Sequence, residues 1–263
     1  MSYHQFKYAI DQAAPLAKQI CLHLMGEPLA HKELEKFLMY AEEKNVQINL
    51  TTNGLLLPQK KEILLNSMSL YQLNVSVQSF HDNFPEKSLE DYLEKVMNVF
   101  DEIMKLRSEV YLNLRLWNLG TDDNENEEVL SYLENRYSIQ INRNTDSRLR
   151  KSKKLFNRLY LHFDTRFKWP SFENDNFGRK GTCQGLRNHI GVLSDGTVVP
   201  CCLDKEAKIN LGNLFEKNLE SIINSDRAQK IKKGFENGVL VEKFCQHCPY
   251  IKRFDKKLER LNA

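Results

Sequence analysis

Six cysteines are the residues of this sequence whose type and spacing could most directly do chemistry. Two of them, Cys245 and Cys248, form a C-x-x-C pair, which brings two sulfurs to one side of a tight turn. Two further thiols from neighbouring strand ends complete a four-ligand metal centre, and we predict Cys183 and Cys201 for this role. Cys202 is the alternative to Cys201, because successive residues of a strand point to opposite faces.

Four cysteine ligands suit either an iron–sulfur cluster or a zinc ion. Pro249 directly follows Cys248, as proline follows ligand cysteines of ferredoxin-type clusters, and this favours iron. A closed zinc site that only stabilises its own module is the alternative. A set of buried thiols without a metal is disfavoured by the specific C-x-x-C arrangement.

The cysteines surround the clearest local signal for regular structure in the chain. Residues 189–200 read HIGVLSDGTVVP, which is two β-prone runs separated by Asp195 and Gly196. This pattern predicts a β-hairpin with a type I′ turn, in which both central residues have positive φ. Because Cys183 precedes the hairpin and Cys201 follows it, we expect the hairpin to position both thiols.

The composition excludes several classes of protein. Hydrophobic residues make up 41% of the chain and charged residues 28%, which is typical of a globular protein rather than a disordered one. The 38 basic and 35 acidic residues leave a net charge of only +3, too small for a dedicated nucleic-acid binder. With neither a signal peptide nor an apolar run of membrane-spanning length, we expect a cytoplasmic protein without membrane contact.

Upstream of the cysteine-rich region, short β-prone runs alternate with amphipathic helical stretches. The predicted strands are residues 20–24, 46–51, 72–77, 110–116 and 138–141, and the clearest predicted helices are 31–45 and 88–106. Ser88 is the predicted N-cap of the second helix. Such repeated βα units predict an α/β fold with a parallel sheet, whose ligand-binding groups lie at the carboxyl ends of the strands.

A polar segment rich in Lys and Arg, residues 142–158, lies between the two regions. We interpret it as a solvated linker, with a docking surface for an acidic peptide or RNA as the alternative. The predicted organisation is therefore a βα region over 1–142, a linking segment over 143–180 and a cysteine-rich, metal-binding module over 181–263.

The cysteine-rich region resembles the SPASM or shorter twitch extension found in many radical S-adenosylmethionine (radical SAM) enzymes. The resemblance rests on CQGLRNHIGVLSDGTVVPCCLD, INLGNLFEKNLESI and FCQHCPY, in which Gly196 and Cys201 match a G-x4-C element and Leu211 to Asn213 match an LGN signature. The seven-cysteine pattern of the full SPASM form is absent. The resemblance therefore implies a small α+β domain with one auxiliary 4Fe-4S cluster, bound by the four predicted cysteines.

The N-terminal region is similar to the partial TIM barrel of the radical SAM superfamily. The similarity rests on the segments LHLMGEPL, LTTNG, NVSVQ and LNLR, each at or near a predicted strand end. It implies that S-adenosylmethionine is bound by Gly26, Glu27, Pro28, Asn53, Ser76, Gln78, Asn113 and Arg115. Gln78 stands where the family more often has Asp. His23 and Cys21, within an apolar strand, are predicted to be packed rather than chemical.

One family element is absent from the sequence. Radical SAM enzymes carry C-x3-C-x2-C after the first strand, where it binds the cluster that cleaves S-adenosylmethionine to a 5′-deoxyadenosyl radical. Here Cys21 is the only cysteine before Cys183. We therefore expect an incomplete barrel that lacks the first strand, through either a shortened N-terminus or true loss of the motif in this lineage.

Two hypotheses for function follow from the resemblance and the cysteines. The first is a cluster-binding radical SAM/SPASM protein that, in full-length form, modifies a peptide, a protein or a small molecule by radical chemistry. Its implied partners are S-adenosylmethionine and an electron donor such as flavodoxin or ferredoxin. The second is a non-catalytic binding or scaffold module with a structural zinc site made of four cysteines.

Overall fold

A computed structural model describes residues 1–120, 125–143, 151–166 and 168–254. The chain forms two compact units, which we call the sheet unit (Ala17–Arg166) and the cysteine unit (Met1–Leu16 with Phe167–Ala263). These units differ from the predicted division, because the N-terminal helix α1 (Tyr3–Ala13) belongs to the cysteine unit. The centre of the predicted basic segment, residues 144–150, lies outside the described residues.

The sheet unit is built on a six-stranded sheet. Its strands are β1 (Gln19–Leu22), β2 (Gln47–Thr52), β3 (Leu70–Ser76), β4 (Tyr111–Leu119), β5 (Ser152–Phe156) and β6 (Leu159–Thr165). The spatial order is β1-β2-β3-β4-β6-β5, with all neighbours parallel except the edge strand β5. The predicted α/β class with a parallel sheet is therefore confirmed.

Helices connect the parallel strands. They are α2 (Leu34–Glu43), α3 (Leu57–Asn66), α4 (Phe80–Asn83), α5 (Leu89–Leu106) and α6 (Glu125–Tyr137). The longest, α5, begins at the predicted N-cap, where Ser88 Oγ accepts a hydrogen bond from the backbone N–H of Asp91. Its buried stripe includes Val96 and Phe100, which are fully buried. The predicted amphipathic helix is thus confirmed.

The predicted strand 138–141 is wrong. Ser138 has φ +52°, and the backbone N–H of Ile141 donates to the Glu134 carboxylate at 2.6 Å instead of to a strand. The fifth parallel strand is β6, within the segment predicted to be a linker. Its sequence LYLHFDT alternates apolar and polar residues, and that alternation is the strand signal the linker interpretation overlooked.

The two faces of the sheet differ in chemistry. One row of alternating residues is fully buried and apolar, and consists of Ile48, Leu50, Leu73, Val75, Leu112, Leu114 and Leu161. Val75 of β3 and Val96 of α5 both lie close to Gly54, so this face packs against the helices. The intervening residues form the other row, which is largely polar and half-buried.

The cysteine unit has shorter elements. They are α1, a three-stranded antiparallel sheet of β7 (Gly191–Val192), β8 (Thr197–Val199) and β9 (Gly212–Asn213), and helices α7 (Leu219–Ile223), α8 (Asp226–Glu236) and α9 (Lys243–Gln246). Its core consists of two small clusters, one around Ile231, Phe235 and Leu240 and the other around Val198 and Leu214. Among the described residues of both units, no helix is long and apolar enough to span a membrane.

The predicted hairpin is confirmed, but its turn type is wrong. Strands β7 and β8 pair antiparallel, and the backbone N–H of Leu193 donates to Thr197 O at 2.9 Å. The loop therefore has three residues, and only Gly196, at φ +88°, takes positive φ. Gly196 N–H donates to Leu193 O at 3.0 Å, so a turn ending in a left-handed glycine replaces the two-residue type I′ turn.

Candidate cofactor sites

Four of the six cysteines come together from three separate parts of the cysteine unit. Cys183 precedes the hairpin, Cys201 follows β8, and Cys245 and Cys248 lie in and just after α9. Cys183, Cys245 and Cys248 pack against the apolar cluster that contains Ile231. No disulfide joins any of the six cysteines.

The pKa values of these thiols reflect their burial and their proximity to one another. Burial, and then the neighbouring Cys183, raises the pKa of Cys201 to about 12. Burial also raises the pKa of Cys245 well above its ordinary value, with further contributions from Cys201, Cys183 and Cys248. Burial is likewise the main cause that raises the pKa of Cys248 to about 11. A set of buried thiols this close together becomes thiolate only when a cation compensates the charge.

Backbone N–H groups already face three of the sulfurs. Gly185 N–H lies 3.5 Å from Cys183 Sγ. Hydrogen bonds from the backbone N–H groups of Leu203 and Asp204 lower the pKa of Cys201, although burial raises it by more. Hydrogen bonds from the backbone N–H groups of Tyr250 and Ile251 lower the pKa of Cys248 in the same way. N–H groups aimed at sulfur stabilise metal-bound thiolates, so the donor set fits a sulfur-ligated metal centre.

The hairpin and the following loop position Cys201. Asn213 Nδ2 donates to Asp195 O at 2.9 Å, and Asn213 Oδ1 accepts from Phe215 N–H at 2.8 Å. A Cβ at Gly196 would lie 2.4 Å from the Phe215 ring, so the turn requires glycine for space as well as for its φ. The G-x4-C and LGN signatures therefore have a common structural role, which is to close the loop beside the site.

Asp204 is a supporting residue that sequence reasoning missed. Its buried carboxylate accepts hydrogen bonds from Lys208 N–H at 2.8 Å and Ile209 N–H at 2.7 Å, which closes the loop after Cys201 and Cys202. The spacing Asp204-x3-Lys208 is a local side-chain capping pattern, so the signal was present in the sequence.

The polar row of the sheet unit contains several of the predicted S-adenosylmethionine residues. In register, Asn74 lies opposite Asn113, Ser76 opposite Arg115, and Arg115 opposite His162. Side chains of this row bond one another, as Asn74 Nδ2 donates to Asn49 Oδ1 at 2.6 Å. The structure thus brings Ser76, Asn113 and Arg115 to one face of the sheet.

Glu27 joins the ends of two strands. Its carboxylate accepts hydrogen bonds from Thr52 Oγ1 at 2.7 Å, from Asn53 N–H at 2.8 Å and from Leu29 N–H at 3.0 Å. Pro28 begins a short 3-10 turn capped by Glu27. Gly26 has φ +85°, and a Cβ there would meet nothing within 4 Å, so it borders open space.

Asn53 acts within its own turn. Its Oδ1 accepts from Leu55 N–H at 3.0 Å, and its backbone carbonyl accepts from the Tyr92 hydroxyl at 2.8 Å. These contacts and those of Glu27 shape the carboxyl edge of the sheet at β1 and β2.

Two histidines lie within electrostatic reach of Arg115. Burial, and then Arg115, lowers the pKa of His23 to about 4 and also lowers the pKa of His162. His162 Nδ1 accepts a hydrogen bond from the Trp117 indole at 2.8 Å, and the Arg115 guanidinium lies 4.8 Å from the Trp117 ring centre. Both imidazoles are therefore neutral at physiological pH, and Arg115 supplies the positive charge.

Two polar atoms at this edge are buried and have no hydrogen-bond partner among the described residues. They are His23 Nδ1, just after β1, and Gln78 Oε1, just after β3. Buried polar atoms are normally paired, so the edge fits a bound ligand that supplies the missing partners. His23 was predicted to be packed rather than chemical. Nothing in the sequence around His23 distinguishes a packed histidine from one that contacts a ligand.

Comparisons with known proteins give two matches to family models. A family model of the radical SAM superfamily matches residues 1–133, and the model of the SPASM iron–sulfur cluster-binding domain matches residues 183–249. No curated protein matches the sequence significantly.

Solved structures share the fold. The structure of native anSMEcpe with bound AdoMet has a TM-score of 0.58 at 14% identity, covering 100% of this chain and 89% of that one. BtrN in complex with AdoMet and 2-DOIA has a TM-score of 0.53 at 17% identity, covering 95% and 80%. At such identities the likeness shows the fold alone, whereas the family model covers more than half of the chain. The chain belongs to the radical SAM superfamily.

Proposed function

We propose that this chain binds one 4Fe-4S cluster through Cys183, Cys201, Cys245 and Cys248, and binds S-adenosylmethionine at the carboxyl edge of the sheet unit. The observation that carries the cluster proposal is the convergence of four thiols from three segments. Cys183 raises the pKa of Cys201, Cys245 and Cys248, and Cys201 and Cys248 also raise that of Cys245. The neighbours of Cys245 include Cys201, which favours Cys201 over Cys202 as the ligand.

A zinc ion and a cubic cluster require different arrangements of the four sulfurs. Zinc holds four sulfurs about 2.3 Å from a single point, so they lie in close mutual contact. A cubic cluster spreads its four cysteine ligands over four iron atoms and needs a wider arrangement. Within the described residues, no group of three or more His, Cys, Asp or Glu side chains is placed to hold one metal ion. We favour the cluster because Pro249 directly follows Cys248, as proline follows ligand cysteines of ferredoxin-type clusters.

The S-adenosylmethionine proposal is supported by the chemistry of the sheet edge. Arg115 supplies a positive charge for a carboxylate, while Ser76 and Asn113 supply neutral hydrogen-bonding groups on the same face. Gly26 borders open space, and Gln78 Oε1 is a buried acceptor without a partner among the described residues. Two solved structures of similar fold are described as AdoMet complexes.

The proposed reaction class is radical-based modification of a peptide, a protein or a small molecule in the cytoplasm. A reduced cluster supplies single electrons, and we propose a small electron-transfer protein such as flavodoxin or ferredoxin as its source. The sequence contains no C-x3-C-x2-C motif, so the cleavage of S-adenosylmethionine is proposed only for a protein that also supplies those three thiolates.

Metal and sulfide analysis of protein purified without oxygen tests the cluster proposal. We expect about four iron and about four acid-labile sulfide per chain, with little zinc. Cys201→Ser should lose the iron, and Cys202→Ser is the matched control that should retain it. About one zinc and no sulfide per chain would overturn the proposal and support the scaffold alternative, in which the four cysteines hold a structural zinc ion.

A further inference from the structure

Residues 169–177, which we call the strap, contact the C-x-x-C loop and the loop that follows Cys201, and belong to the same unit as the cysteines. The strap has no helix or strand, and the sequence predicts only a linking segment there. Most of its residues are exposed or half-buried, but Asn174 is only 6% exposed. A buried polar side chain in an irregular segment needs an explanation from its contacts.

Asn174 fastens the strap to the C-x-x-C loop. Its Nδ2 donates to His247 O at 3.2 Å and to Trp169 O at 2.8 Å. The backbone carbonyl of Asn174 accepts from His247 Nδ1 at 2.7 Å, so the contact between these two residues is reciprocal. His247 lies between Cys245 and Cys248, which places the contact directly on the loop that carries two of the four thiols.

Both ends of the strap are also held. Phe177 N–H donates to Gln246 O at 2.8 Å, inside the C-x-x-C loop. At the other end, Lys205 Nζ lies 5.0 Å from the centre of the Trp169 ring, and Lys205 belongs to the loop that follows Cys201 and Cys202. The strap therefore connects the two halves of the cysteine site.

Apolar contacts complete the cover. The Phe172 ring packs edge-on against Phe244 at 5.3 Å and against His247 at 5.6 Å between ring centres. Phe177 packs against the same apolar cluster as Cys183, Cys245 and Cys248. Phe172 is 53% exposed, so its outer part faces solvent while its inner part places hydrocarbon against the cysteine loop.

We propose that Asn174 is the positioning residue of the cysteine site, which fastens the strap over the C-x-x-C loop and keeps solvent and oxygen from the metal centre. The proposal rests on the metal centre proposed above, but not on its being a cluster. Solvent exposure raises the potential of a cluster, because water stabilises the more negative reduced state. The strap should therefore set both the lifetime and the potential of the centre.

The test compares Asn174→Ala with Asn176→Ala, both as the full chain purified without oxygen. Asn176 belongs to the same strap, and its Oδ1 accepts a local bond from Gly178 N–H. We expect Asn174→Ala to contain the wild-type amount of metal but to lose it about tenfold faster in air, and Asn176→Ala to match wild type. The reduction potential of Asn174→Ala should be more positive than that of wild type.

A second variant covers the case in which Asn174→Ala fails to fold. His247→Phe keeps the ring beside Phe172 but removes the hydrogen bond to Asn174 O, and it should also accelerate metal loss and raise the potential. If the folded variants lose metal at the wild-type rate with unchanged potential, the proposal is wrong. If wild type contains zinc, the cluster proposal fails, and the rate of zinc transfer to a chelator tests the strap in the same variants.

Discussion

The sheet unit and the cysteine unit bury their cores with elements of different length. Helix α5 of the sheet unit has 18 residues, and strand β4 has nine. In the cysteine unit the longest helices have 11 residues, and the strands have two or three. Long elements bury a continuous apolar row by themselves, whereas short elements leave small separate clusters. The comparison indicates that the cysteine unit needs a cross-link that the sheet unit does not.

The buried polar groups of the two units differ in the same way. In the sheet unit, two of the buried polar atoms without a hydrogen-bond partner among the described residues, His23 Nδ1 and Gln78 Oε1, lie at the strand ends, away from the apolar row. In the cysteine unit, burial raises the pKa of all four thiols, and three of them, Cys183, Cys245 and Cys248, pack against the core. A ligand would thus complete the edge of one unit, and a metal centre would complete the core of the other.

Loss of the metal centre should give the largest difference between the units. Cys248→Ser should abolish metal binding and unfold much of the cysteine unit, because the free energy of binding a structural metal is folding free energy, about 10–16 kcal/mol for zinc in zinc-finger peptides. Hydrogen exchange resolved by peptide should show lost protection in the cysteine unit and retained protection in β2, β3 and β4. Cys202→Ser is the control. Wild-type metal content in Cys248→Ser would remove Cys248 from the site.

A large core truncation should affect the sheet unit alone. Phe100 on α5 is fully buried, so Phe100→Ala should lower the free energy of unfolding of the sheet unit by about 3–5 kcal/mol. Metal and sulfide content should not change. The control is Met39→Ala, at a residue 65% exposed on α2, which should change stability by less than about 0.5 kcal/mol. Loss of metal in Phe100→Ala would show that the units are not independent.

Glu27 should have an intermediate effect, confined to the edge of the sheet unit. Glu27→Ala leaves Thr52 Oγ1 and the N–H groups of Asn53 and Leu29 without their acceptor, which should cost about 1–3 kcal/mol in urea unfolding. Glu33→Ala, which breaks a surface ion pair with Lys36, is the matched control. Equal stability of the two variants would contradict the role assigned to Glu27.

The smallest predicted effect is a pH dependence from His23. Its pKa is lowered from 6.5 to about 4 in the folded chain, so the unfolded state takes up a proton first as the pH falls. His23 should therefore reduce stability progressively between about pH 6.5 and pH 4. The urea midpoint of the sheet unit should decrease more between pH 7 and pH 5 in wild type than in His23→Gln. The same fall in both proteins would refute this assignment.

Local patterns predicted the regular parts of the fold. The first four strands, helix α5 with its Ser88 cap and the hairpin around Gly196 follow from periodicity and turn chemistry. The local geometry of the C-x-x-C pair indicates only that Cys245 and Cys248 lie near each other, and the roles of Cys183 and Cys201 as ligands stay a prediction. The turn type was wrong because Leu193 N–H donates to Thr197 O. Ser194 therefore joins Asp195 and Gly196 in a three-residue loop.

Features that depend on distant residues could not be predicted. Asn174 and His247 are 73 residues apart, so no local pattern in the strap reveals their contact. Likewise, Gln12 Oε1 of α1 accepts from Leu219 N–H of α7, which joins the N-terminus to the cysteine unit across 207 positions. The lowered pKa of His23 depends on burial and on Arg115, a residue of another strand.

X-ray absorption at the iron and zinc edges, on wild-type protein purified without oxygen, tests the central claim most directly. The four cysteines are predicted to hold a 4Fe-4S cluster, so the iron spectrum should show sulfur neighbours and nearby iron atoms, and zinc should be absent. A spectrum of zinc surrounded by four sulfurs at about 2.3 Å, with no iron, would contradict the account.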